Sequence, residues 1–264
     1  MINRLVTSGC SFTQGYGKNG NEPTCSWAYH LSKKLNLELI NVAKGGKGNE
    51  WISNSIIEEL ESTGYQNTIV VVAWSEVTRL MGSFNEEIVT IRPQDFDGLE
   101  GKEEWSSYSD YHKYVIKNQK ALGKFFDDIV YCVYKTYHAI HKLKTYLEYK
   151  EVPYLFFDAI NPSKVIHHSY IRDGFALQSS HKEVEDIELF TRTEEYQRVI
   201  SQHWSDYLFD DKWIDLDGAK TINELKERNP KLYEGLDGHP NEELSKVIGG
   251  MVSEKLVEEK IFFT

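Results

Sequence analysis

The sequence predicts an α/β chain in which helices cover both faces of a mostly parallel sheet. Three observations predict it. Residues 68–74, TIVVVAW, make a near-continuous apolar run of strand length, the pattern of a parallel strand buried on both sides. Shorter runs with strand character recur at 5–7, 37–42 and 153–158. The segments between them carry apolar residues at helical spacing, so strands and helices alternate along the chain.

Taken in order, residues 5–7 suit a first strand, and Gly9 and Gly15 punctuate the turn after it. A helix follows with Trp27, Leu31 and Leu35 on one side, then a second short strand at 37–42. The glycine-rich turn AKGGKGN at 43–49 opens a helix through Trp51, Ile52, Ile56, Ile57 and Leu60. After the 68–74 strand the pattern turns irregular over 77–107. A long amphipathic helix is expected near 122–149, its stripe formed by Phe126, Val130, Val133, Tyr137, Ile140, Leu143 and Leu147. Residues 153–158 are another buried strand and 213–216 a last short one. Residues 161–211 are polar and weakly patterned, with a helix expected near 194–204. A final helix spans 241–260, with Leu244, Val247, Ile248, Met251, Val252 and Leu256 facing inward. The expected organisation is one domain over 1–264 with insertions at roughly 77–122 and 161–211.

Composition narrows the function. A length of 264 residues buries a sizeable core, and a formal charge of −11 leaves no basic excess to neutralise nucleic acid or an anionic membrane. Neutral sugar or ester substrates remain open. Cys10, Cys25 and Cys132 show neither metal spacing nor an even-numbered disulfide framework, which suits a reducing compartment. No signal peptide or membrane-span pattern is visible, so the expected location is cytoplasmic, with association with a virion left open. No cofactor is expected. His167, His168 and His181 lack the carboxylate or cysteine spacing of a metal site, so none is expected.

Two short stretches carry chemistry. Ser11 lies in the turn after the first strand, where α/β folds place ligands. The alternative is a turn residue or helix N-cap. A serine hydroxyl becomes nucleophilic only with a base in hydrogen-bond reach and donors for the oxyanion. His239 has the surroundings of such a base. Asp237 precedes it by two residues, Pro240 follows it, and an amphipathic helix starts there. A capping loop is the alternative for this stretch.

Together these residues resemble the SGNH/GDSL hydrolases. Gly9-Cys10-Ser11-Phe12-Thr13-Gln14-Gly15 is similar to that family's first block, with Cys10 in place of the usual aspartate. Asn41-Val42-Ala43-Lys44-Gly45-Gly46-Lys47-Gly48-Asn49 is similar to the second block, Gly46 fitting the oxyanion glycine. Val71-Val72-Ala73-Trp74-Ser75-Glu76 falls at the third, and Asp237-Gly238-His239-Pro240-Asn241 resembles the last. The blocks come in the family's order over nearly the whole chain, and the closest resemblance is to a divergent branch met in bacteriophage genomes. The resemblance implies a flavodoxin-like three-layer α/β/α sandwich around a five-stranded, mostly parallel sheet. It implies Ser11 as nucleophile, His239 as base, Asp237 as orienting acid, and Ser11 and Gly46 amides as oxyanion donors.

Three departures stand out. The family's aspartate lies three residues before its histidine, where this chain has Leu236. Ser75 stands where the family offers an asparagine amide and is the candidate third oxyanion donor, with another side chain or a slow enzyme as the alternatives, since a hydroxyl has one donor where an amide has two. Cys10 beside the nucleophile is read as a small buried thiol, with a nucleophilic role as the alternative. Asp158 and Asn161 are read as capping a turn, with a pocket role as the alternative. Trp51, Trp74 and Trp105 are read as packing residues, with a sugar-stacking surface as the alternative. Arg79 suits an anionic substrate group or a surface ion pair equally. The expected activity is ester hydrolysis, with an acyl group on a carbohydrate or other small molecule as substrate. The alternatives are a catalytically weak or inactive binding or structural protein of a phage particle, and an acyltransferase. The sequence leaves the oligomeric state open.

Overall fold

The computed structural model describes residues 2–17, 20–77, 79–84, 87–91, 129–160, 207–228, 230 and 238–259. Most of both expected insertions lies outside the described residues, as do Trp105, Phe126, Asn161, His167, His168, His181, Asp237 and the helix expected at 194–204.

The elements follow in chain order. They are β1 (Arg4–Ser8), α1 (Ser11–Gln14), β2 (Tyr16–Gly17), β3 (Gly20–Asn21), a 3-10 turn (Pro23–Cys25), α2 (Trp27–Leu35), β4 (Glu38–Asn41) and α3 (Asn49–Thr63). Then come β5 (Thr68–Trp74), β6 (Leu80–Phe84), β7 (Glu87–Ile91), α4 (Ile129–Tyr149), β8 (Tyr154–Asp158), α5 (Ile222–Arg228) and α6 (Glu242–Glu258).

The main sheet runs β4-β1-β5-β8, and each neighbouring pair is parallel. β1 therefore pairs with strands on both sides, and the chain reverses its direction of winding between β4 and β5. That is the doubly wound order whose switch point gathers ligands at the carboxyl ends of the strands. Among the described residues the sheet has four strands where five are expected, and the stretch beyond β8 adds only isolated bridges to it, at Trp213 in the expected last strand and at Thr221 after it. Trp213 bridges Phe156 and Thr221 bridges Asp158, both in parallel sense. Ile214 N–H donates to the Phe156 carbonyl at 2.9 Å.

Strand alternation splits the core in two. On β5, Val70, Val72 and Trp74 face a cluster with Ile52, Ile56 and Leu60 of α3 and Ile140, Leu143 and Leu147 of α4. Ile69, Val71 and Ala73 face the other side, against Trp27, Ala28 and Leu31 of α2 and Leu244, Ile248 and Val252 of α6. Every residue of β5 is buried, because helices cover both of its faces. α2 and α6 approach closely at Gly249, where a methyl would stand 2.9 Å from the Trp27 carbonyl oxygen and the Leu31 nitrogen.

Two antiparallel hairpins, β2–β3 and β6–β7, fall in stretches the sequence reads as loop. α6 starts one residue later than expected. Asn241 is its N-cap, its side-chain oxygen accepting from Leu244 N–H at 2.9 Å, so Pro240 precedes the helix instead of opening it.

Candidate active site

The site is built where β1, β4 and β5 end. Ser8 pairs with Val72, so Ser11 and Ser75 each lie three residues beyond a matched pair on adjacent strands. Gly9 lets the two chains close up, since a methyl there would stand 2.9 Å from the Ala73 carbonyl oxygen. On the other flank Val42 N–H donates to Thr7 O at 2.9 Å and Lys44 N–H to Gly9 O at 3.2 Å. The β4 exit thus runs beside β1 and delivers the glycine turn to Ser11.

Ser11 opens α1 and is half-buried. Its N–H belongs to the first helical turn, whose amides have no partner within the helix. α1 is short but well anchored. The Thr13 carbonyl accepts Ser26 Oγ at 2.5 Å and Asn41 Nδ2 at 2.9 Å, and Trp27 Nε1 donates to Thr13 Oγ1 at 3.2 Å.

His239 reaches this serine from the far end of the chain. Its Nε2 lies 2.8 Å from Ser11 Oγ. Gly238 has φ +73, a backbone conformation that favours glycine, and its carbonyl accepts Lys226 Nζ of α5 at 2.6 Å. The imidazole is walled by Phe12, edge-on at 5.4 Å between centroids, and by Tyr16 at 4.8 Å. When Nε2 accepts the Ser11 proton, the ring proton sits on Nδ1. Asp237, expected to hold that nitrogen, lies outside the described residues.

The glycine turn faces the same spot. Lys47 N–H bonds Lys44 O at 3.3 Å, closing a turn with Gly45 and Gly46 at its centre. Gly46 has φ +74 and open space around its Cα, and it is exposed. Gly45 packs closest to the serine, since a methyl on it would stand 3.5 Å from Ser11 Cβ. Its N–H is taken by Gln14 Oε1 at 2.6 Å, which leaves the Gly46 amide as the turn's candidate oxyanion donor.

Ser75 is placed differently from the sequence expectation. It has no accessible surface, and its Oγ accepts from Arg79 Nη1 at 3.1 Å. Arg79 also pairs through Nε with Glu76 Oε2 at 2.9 Å. Buried Asn49, unremarked in the sequence, clamps the Ser75 backbone. Its Oδ1 accepts Ser75 N–H at 2.8 Å, and its Nδ2 donates to Ser75 O at 3.2 Å. The segment after β5 is therefore locked behind the site, its hydroxyl turned away from solvent.

Other candidates sort plainly. Cys10 is wholly buried, out of reach of a substrate. Trp74 is core and stacks on Trp213, while half-buried Trp51 of α3 packs against the same core cluster. Asp158 is buried at the end of β8. Among the described residues no group of three His, Cys, Asp or Glu gathers as metal ligands would, and no helix is long and apolar enough to cross a membrane. Gln14, Asn49 and Lys226 escaped sequence reasoning. The one signal available was for Gln14, spaced three residues from Ser11 on a short helix.

No family model matches the chain, and no curated protein does. Several solved structures are similar to it. A psychrotrophic esterase from Pseudoalteromonas sp., inhibited by monoethylphosphonate, aligns over 97% of this chain and 98% of its own, at 12% identity and a TM-score of 0.48. A lipase/acylhydrolase from Enterococcus faecalis aligns over 98% and 97%, at 9% identity and a TM-score of 0.41. A catalytic mutant of an acetylxylan esterase from Geobacillus stearothermophilus aligns over 97% and 95%, at 10% identity and a TM-score of 0.42.

Proposed function

We propose that the chain is a serine ester hydrolase acting on an acyl ester of a carbohydrate or other small molecule. The observation that carries this reading is the 2.8 Å separation of Ser11 Oγ and His239 Nε2 at the carboxyl edge of the sheet. That is the distance a general base needs to take the nucleophile's proton.

In this reading Ser11 Oγ attacks the acyl carbonyl carbon as His239 Nε2 takes the hydroxyl proton. The tetrahedral oxyanion forms against the Ser11 and Gly46 amides. Collapse expels the alcohol, which His239 protonates. Water then attacks the acyl-enzyme, His239 removing its proton, and the carboxylic acid leaves Ser11 free. Asp237 would hold the Nδ1 proton. Ser75 lies behind, its backbone held by Asn49 and its hydroxyl by Arg79, and does not touch the oxyanion.

The test pairs a fluorophosphonate probe with turnover of p-nitrophenyl acetate and acetylated glycans. Labelling at Ser11, with loss of both signals in Ser11→Ala, is the expected result. Turnover that rises with an added alcohol acceptor would recast the protein as an acyltransferase. No labelling, and ligand affinity or assembly untouched by Ser11→Ala, would leave the binding or structural role instead.

A further inference from the structure

We infer that Gln14 is a positioning residue for the oxyanion site, holding the Gly45–Gly46 peptide over the nucleophile. The inference rests on the reading of Ser11 as that nucleophile.

Ser11 and Gln14 are three residues apart on α1 and share a face. Both meet the glycine turn. Gln14 Oε1 accepts the Gly45 N–H at 2.6 Å, and a methyl on Gly45 would stand 3.1 Å from that oxygen and 3.5 Å from Ser11 Cβ. The ends of the turn are fixed by the backbone. Lys44 N–H donates to Gly9 O at 3.2 Å, and Gly48 lies against the Arg79 main chain, a methyl there falling 2.8 Å from the Arg79 carbonyl carbon. The centre of the turn has no such packing, since Gly45 and Gly46 are both exposed and glycine is the most mobile of residues. Gln14 supplies the tether there.

One helix face thus carries the attacking hydroxyl and the acceptor that sets the oxyanion turn. Any tilt of α1 moves nucleophile and turn together, so their mutual distance is kept. The Gln14 acceptor also takes the Gly45 amide out of competition for the substrate oxygen, leaving the next amide, Gly46, to meet it. Donors of this kind act only when held where the charge develops, and a displacement of about 1 Å costs roughly a hundredfold in rate.

The experiment compares the wild type with Gln14→Met, which keeps the length and removes the acceptor, and with Gln14→Glu, which keeps an acceptor. Turnover of p-nitrophenyl acetate is read beside hydrogen exchange at the Gly45 amide and the thermal midpoint. Gln14→Met is expected to lower kcat about ten- to a hundredfold, with KM within about twofold and the midpoint unchanged. Gly45 exchange should quicken by about three- to tenfold, the equilibrium factor of one hydrogen bond, and Gln14→Glu should restore it. Wild-type kcat in Gln14→Met overturns the inference alone, as does a fall in kcat with Gly45 exchange unmoved. A wild type that neither turns over esters nor reacts with the fluorophosphonate overturns the Ser11 reading, and this inference with it.

Discussion

His239 Nε2 and Ser11 Oγ meet at 2.8 Å although 228 residues separate them in the chain. The pair exists only because β1 lies in the interior of the sheet and α6 returns to pack on α2, beside the β1 exit. If the two side chains work as one unit, removing either should cost nearly as much as removing both. His239→Gln is expected to lower kcat/KM on p-nitrophenyl acetate by about a thousandfold or more, and adding Ser11→Ala to lower it little further. Losses that multiply in the double variant would show that the two residues act separately.

Ser75 offers a sharper division. A side chain that donates directly to an oxyanion contributes about a hundredfold or more to turnover. Ser75 has no accessible surface and its hydroxyl accepts from Arg79. Ser75→Ala is therefore expected to keep kcat within about threefold of wild type, well short of the loss of a direct donor. A hundredfold fall would mean that the hydroxyl swings to the substrate during the reaction.

Much of this architecture was legible from spacing alone. The 68–74 run is β5 residue for residue, because a strand buried on both faces runs apolar without a break from Ile69 to Trp74. The stripe Tyr137, Ile140, Leu143 and Leu147 is buried as its period demands. Shorter elements were not legible. α5 spans seven residues, too few for a period to declare itself, and the β2–β3 hairpin has two residues per strand. Within the site, Ser11 and His239 could be singled out because each stands in a telling context, Ser11 in the turn after the first strand and His239 before a proline where a helix starts. Gln14 and Asn49 could not. Their work depends on which loop the fold brings opposite them, and nothing local to either residue encodes that. The orientation of Ser75 is set by Asn49, which starts α3, and by Arg79, four residues further along the same segment, so its position in the chain does not reveal it.

The α2–α6 crossing predicts a stability effect free of any catalytic one. A methyl at Gly249 would stand 2.9 Å from Trp27 O, from Leu31 N and from His30 Cβ, so α6 would have to lift from α2. Overpacking of this kind costs about 1–3 kcal/mol, partly offset by the better helix propensity of alanine. Gly249→Ala should therefore lower the urea midpoint while the surviving folded fraction keeps its turnover per molecule. An unchanged midpoint would show that the two helices have slack at this crossing.

Three tyrosine hydroxyls predict how the fold fails in alkali. Tyr154 Oη donates to Glu148 Oε1 at 2.9 Å, Tyr207 Oη to Glu148 Oε2 at 3.0 Å, and Tyr146 Oη to Glu61 Oε1 at 2.6 Å. Burial pushes all three above the ordinary tyrosine range. The Asp210 charge and the Glu148 contact add to it at Tyr154, and the Glu61 contact adds to it at Tyr146. At Tyr207 the Thr145 hydrogen bond offsets part of the rise. The unfolded chain releases these protons near pH 10, and the folded chain holds them to higher pH. Below about pH 10 both states keep the protons and the stabilisation is complete. Above it the unfolded state binds fewer, so stability falls as pH rises. Absorbance at 295 nm should show these tyrosines ionising only as the far-UV circular dichroism collapses, and Tyr154→Phe should weaken that coupling. Sixteen tyrosines titrating together near pH 10 with the dichroism intact would contradict it.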